Sequence, residues 1–289
     1  MSAVAVDPVG DVRARFGEGA FWDATTETLL WVDITGGAVH RTSPADGATE
    51  RCVLGGEVAA AFPTTRATVV AARDSTLLEV AGEEVVGEVA GVPPHPRMRF
   101  NDGGPDPRGR LLIGTLHADK DPGTASLYRL DDELVPVVTG VTVSNGLGWS
   151  PDGGMLYYAD TPTLRLDVFD YDTGQGLPGV RRTLADVSDS PGRPDGLTVD
   201  AEGCVWVAMI RGGELRRYAP DGRLDRVVPL PVSHPTSVAF GGADLGDLFV
   251  TSALDPLSAA ERHEQPLAGR LLRLDPGVQG LPAPSVLLP

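Results

Sequence analysis

The chain has 289 residues, 42% of them apolar, and carries 24 Lys+Arg against 40 Asp+Glu for a formal charge of −16. Such a length can bury a substantial core. The acidity, with no arginine cluster interleaved with aromatics, argues against a nucleic-acid partner, and no apolar run approaches the ~20 residues that cross a bilayer. Met1 to Gly10 shows neither a basic region nor an apolar stretch, so a cytoplasmic protein is expected. Cys52 and Cys204 fall in separate strand-like segments, which disfavours a disulfide. Lys120 is the only lysine, which reads as coding bias.

Six β-rich runs are predicted along the chain: Leu29–Asp33, Thr68–Ala72, Leu111–Thr115, Met155–Ala159, Cys204–Ala208 and Asp247–Thr251. Each is rich in β-branched and aromatic residues and bounded by Gly, Asp or Pro. Their centres, Trp31, Val70, Ile113, Tyr157, Val207 and Val250, are spaced by 39, 43, 44, 50 and 43 residues. Further strands follow each run, such as Ser126–Asp131 and Arg165–Asp172, and no segment has a capped 3.6-residue apolar period. A repeat of this length with four short strands is the signature of a propeller blade. The expected fold is all-β: a single domain over residues 1–289, a six-bladed β-propeller with four-stranded antiparallel blades around a central channel. The Ala3–Asp7 segment is expected to close the ring beside the terminal Ser285–Pro289 segment. A closed ring has no long free edge, so a monomer is expected.

Polar residues keep phase with this repeat. Glu18, Glu57, Asn101, Asn145, Asp195 and Thr236 each precede a strand centre by 12 to 14 residues, a position on the strand facing the channel. Most are followed closely by glycine, which permits unusual dihedrals or close backbone approach. Glu18, Asn145 and Asp195 would bring together two carboxylates and an amide carbonyl. These hard oxygen donors suit one divalent metal ion, Ca²⁺, Mg²⁺ or Mn²⁺, and can hold Zn²⁺ with water completing its shell.

The segments GEGAFWD, RFNDGGPDPRGRLLIGT, SNGLGWSPDGGMLYYAD, RPDGLTVDAEGCVWVA and HPTSVAFGGADLGDLFVTSA, in this order over nearly the whole chain, resemble the senescence marker protein 30/regucalcin/gluconolactonase family. The resemblance implies a divalent metal in the channel and hydrolysis of sugar-derived lactones. By motif, Glu18, Asn145 and Asp195 correspond to the metal ligands, and Asp195 also to the general base. Arg99 and Asn101 correspond to substrate-contacting residues. After Gly114-Thr115 the family often has an acidic pair; here Asp119 takes that role, while His117 departs from the pattern and is a second candidate base.

Rival readings remain open at this stage. A Ca²⁺-binding protein without turnover would use the same ligands, and a broad lactone or phosphotriester esterase the same metal site. An interaction scaffold would instead show an exposed apolar face. A serine hydrolase is disfavoured because the chain has no G-x-S-x-G elbow and Ser144 has no evident histidine partner. His40, His95, His234 and His263 lack paired metal spacing, with His234 placed to reach the channel.

Overall fold

The computed structural model describes residues 4–93 and 97–289. Among these, 24 strands form six four-stranded antiparallel sheets, a six-bladed β-propeller. The innermost strands are Gly17–Asp23, Val58–Pro63, Met98–Pro105, Ser144–Trp149, Arg193–Val199 and Pro235–Gly241, in blades 1 to 6 respectively. The six runs predicted from the repeat are the second strands, beginning with Thr28–Asp33 and Val69–Arg73.

Burial explains why these second strands were the most legible. Leu111–His117 is buried at every position, whereas Leu224–Pro229, outermost in blade 5, is almost wholly exposed. A strand covered on both faces reads as a continuous apolar run rather than an alternating one. The core lies between blades. Trp22 of blade 1 stacks on Phe249 of blade 6 with ring centroids 6.0 Å apart, and Phe21 meets Phe62 of blade 2 edge-on at 5.5 Å. Buried aspartates at the turns between inner and second strands add polar ties. Asp200 accepts from the backbone of Cys204 and from Trp206 Nε1, both at 2.9 Å, and from Arg217 Nε at 2.8 Å. The two cysteines are buried and free.

Ring closure differs from the sequence expectation. Val6–Arg13 pairs with Arg270–Leu274 as the fourth strand of blade 6, with Val6 opposite Leu274 and Asp7 opposite Arg273. The terminal segment goes elsewhere: Val286 bridges Thr64 at the end of the blade 2 inner strand, its N–H donating to Pro63 O at 2.8 Å. Blade 6 has only three strands from its own repeat, and Arg270–Leu274 offers an edge that the N-terminal segment satisfies. The prolines at 282 and 284 lack the N–H groups a ladder needs. Residue 3 of the expected closing segment lies outside the described residues.

Candidate functional site at the channel mouth

Every inner strand carries a register irregularity near its start, for example between Glu18 and Phe21, Ser144 and Leu147, and Pro194 and Leu197. A bulge at this position re-aims a side chain out of the ordinary alternation. Its repetition turns Glu18, Glu57, Asn101, Asn145 and Asp195 toward one cavity of about 820 Å³. Thr236 keeps the same phase but is spent on closure: its Oγ1 donates to Gly17 O at 2.6 Å, tying blade 6 to blade 1. The glycines after these residues serve close packing. A Cβ on Gly146 would lie 2.4 Å from Leu197 N, and one on Gly196 2.7 Å from Ser237 Cα.

Within the cavity, Asn145 Nδ2 donates to Thr161 Oγ1 at 3.0 Å and to Asp195 Oδ1. Both bonds fix the amide, and its Oδ1 is buried with no hydrogen-bond partner among the described residues. Glu18 and Asp195 are buried, and burial pushes both carboxyls well above the usual range. Next in importance is neighbouring negative charge, from Asp195 and Asp102 on Glu18 and from Asp102 on Asp195. An orphaned amide oxygen beside two crowded carboxylates fits a hard divalent cation, whose charge would relieve both defects.

Arg99 and Asn101 are coupled to this group and to each other. Arg99 Nη1 donates to Asn101 Oδ1 at 3.0 Å and to Phe100 O at 2.7 Å, while its Nε faces Glu57 Oε2 at 3.5 Å. Asn101 Nδ2 donates to Ser144 O at 2.8 Å, so the Asn101 amide is held at both ends. Ser144 itself is fully buried, its Oγ accepting from Tyr158 OH at 2.6 Å, the setting of a structural hydroxyl.

The segment after Thr115 behaves differently from the sequence expectation. Leu116, Ala118 and Lys120 line the cavity, and His117 and Asp119 do not: alternation parts Leu116 from His117 at the end of the strand Leu111–His117, and the turn that follows places the rest. There His117 Nδ1 lies 3.4 Å from Asp121 Oδ2 and 3.9 Å from Asp119 Oδ2, and Arg97 pairs with Asp119. These three side chains offer ligand atoms within 4.8 Å of one another, a second group that could hold a metal ion.

His234 does line the cavity, with Nδ1 2.8 Å from Ser233 Oγ; burial and Arg211 lower its pKa. His40 is stacked on Trp31 in blade 1, burial lowering its pKa to about 4; His263 sits on the short helix Ala259–Glu264. His95 lies outside the described residues.

Sequence reasoning missed Thr161, which fixes Asn145, and Arg193 and Arg211 at the cavity. It also missed Asp102. One residue beyond Asn101, Asp102 points to a second cavity of about 530 Å³, lined by the C-terminal halves of the same inner strands. Burial raises its carboxyl to about 6.

The fold and site define a six-bladed propeller with an oxygen-rich pocket at one mouth of its channel. The chain belongs to the SMP-30/gluconolactonase/LRE-like family, whose region matches residues 16–254. It is 34% identical to regucalcin of Xenopus laevis over 97% of this chain and 98% of that protein. It is 37% identical to 6-deoxy-6-sulfogluconolactonase of Pseudomonas putida, covering 93% and 94%. Among solved structures, a calcium-binding protein, regucalcin from Agrobacterium tumefaciens, superposes with a TM-score of 0.93 at 28% identity, covering 99% of this chain and 98% of that one.

Proposed function

We propose that the chain hydrolyses a sugar-derived lactone with the help of one divalent cation held by Glu18, Asn145 and Asp195. The observation that carries this reading is the buried, unsatisfied Oδ1 of Asn145 next to two carboxylates whose pKa values are driven up. When bound, such a cation supplies Lewis acidity at the lactone carbonyl and charge compensation for the tetrahedral oxyanion.

The chain's own residues do the rest. Asp195 Oδ1 accepts from Asn145, which leaves Oδ2 for water. As general base, Asp195 takes a proton from the water that attacks the carbonyl carbon. It returns that proton to the ring oxygen as the C–O bond breaks, giving the hydroxy acid. Arg99 is fixed through Nη1 and Nε, and its Nη2, with no hydrogen-bond partner among the described residues, can donate to a substrate oxygen. Asn101, held at both ends, keeps that guanidinium in place, a positioning role. A protein that only stored Ca²⁺ would have no use for a half-buried arginine beside its ligands.

A pH-indicator assay on a panel of sugar lactones tests the reading. EDTA treatment is expected to abolish acid release, and Ca²⁺, Mg²⁺, Mn²⁺ or Zn²⁺ to restore it. Asp195→Asn is expected to lower kcat by about 100-fold or more, the range for loss of a general base. Cation binding by the wild type with no turnover of any lactone would favour the calcium-binding alternative. Metal-independent turnover would refute the mechanism.

A further inference from the structure

We propose that the substrate lactone carries an anionic group, a phosphate, sulfonate or carboxylate, received by Arg193 and Arg211, with Lys120 lining the same cavity. The inference rests on the lactonase reading and narrows its substrate class. The protein has 40 acidic side chains against 24 basic ones, so a cation on its surface readily finds a carboxylate. Two cations of this cavity have done so: Arg97 pairs with Asp119, and Arg99 with Glu57. Arg193, Arg211 and Lys120 line the same cavity, and among the described residues their side chains have no hydrogen-bond or ion-pair partner.

The backbone brings the two arginines together. Arg193 begins the inner strand of blade 5, paired with Ile210, the residue before Arg211. Gly192 and Gly212 pack so closely that a Cβ on Gly192 would lie 2.7 Å from Gly212 N. Glycine at 192 lets the two turns meet with Arg193 and Arg211 adjacent in the fold. Lys120 enters from blade 3 and lies within electrostatic reach of Asp195. Arg193 and Arg211, like charges on neighbouring positions, repel one another unless an anion joins them. Guanidinium groups present the planar fork that phosphate, sulfonate and carboxylate oxygens accept. A neutral lactone would give the Arg193–Arg211 pair no anionic partner.

The test compares glucono-δ-lactone with 6-phosphoglucono-δ-lactone and with the 6-sulfonate analogue, using metal-loaded enzyme. Wild type is expected to favour the anionic lactones by 30-fold or more in kcat/KM, with the preference shrinking as NaCl is raised. Arg193→Gln and Arg211→Gln are each expected to lose tenfold or more on the anionic lactones and less than threefold on the neutral one. A better rate on phosphate than on sulfonate identifies a dianion as the preferred group, and the reverse a monoanion. Equal kcat/KM on neutral and anionic lactones, or equal losses on both in the variants, overturns the proposal. Calorimetric binding of 6-phosphogluconate against gluconate needs no turnover. Tenfold tighter binding of the phosphorylated acid by a protein that hydrolyses no lactone would sink the lactonase reading and leave the anion site standing. Equal binding by an active lactonase would sink the anion site alone.

Discussion

Asp102→Asn is expected to stabilise the protein stripped of divalent ions, although it removes a charged residue from the centre of the fold. Burial raises the Asp102 carboxyl from its ordinary 3.8 to about 6, opposed only by the Gly103 N–H that donates to Oδ1 at 2.7 Å. A raised folded-state pKa means that the folded protein holds the proton more tightly than the unfolded chain. The associated stability is present below about pH 4 and is lost as pH rises through 6. At pH 8 the ionised side chain therefore costs about 3 kcal/mol, and at pH 5 about half that. The amide of the variant can still accept from Gly103 and carries no charge to bury. It also removes a repulsion felt by Glu18 and Asp195.

With an unfolding entropy of about 2.1 cal/mol/K per residue, a chain of this length gains roughly 5 °C in Tm at pH 8 and between ~2 and ~3 °C at pH 5. Thermal unfolding followed by circular dichroism in EDTA measures both. A variant that melts below wild type at pH 8, or by the same margin at both pH values, would refute the reasoning. The gain is expected to come with weaker cation binding, since three gathered carboxylates attract an ion more strongly than two.

Two further substitutions test the frame around the site. Asp200→Ala leaves Arg217 buried without one of its carboxylate partners and strips the acceptor from Trp206 Nε1. A loss of about 3–5 kcal/mol is expected in chemical denaturation, as for breaking a buried charge network. Gly196→Ala drives a Cβ into the Ser237 backbone of the next blade, 2.7 Å from its Cα. About 1–3 kcal/mol of stability should be lost to overpacking. Lactone turnover should fall by more than tenfold, because Asp195 is the adjacent residue; unchanged kinetics would show that the inner strands have more slack than this packing allows.

The repeat was legible because burial is periodic. Each second strand is covered on both sides, so Leu111–His117 or Val205–Ile210 stands out as an apolar run at blade spacing. The phase of Glu18, Glu57, Asn101, Asn145 and Asp195 followed from that period, since a ring brings equivalent positions together. Family-like motifs supplied the roles proposed for Arg99 and Asn101. Ring closure was not legible. Arg270–Leu274 could accept any strand of suitable length, and only the folded chain shows that Val6–Arg13 reaches it.

The sequence alone determined the blade count and the oxygen-donor ring, because both are written in the spacing of residues along the chain. Tertiary structure decided which side chains of a given segment face the cavity. His117 and Asp119 turn away while Leu116, Ala118 and Lys120 turn in, decided by where the strand Leu111–His117 ends and by the turn after it. It also decided the charge environment. Lys120, an apparent accident of composition, lines the same cavity as Arg193 and Arg211, and Asp102 acts electrostatically on Glu18 and Asp195. Electrostatics depends on distance and burial, and neither quantity exists until the ring has closed.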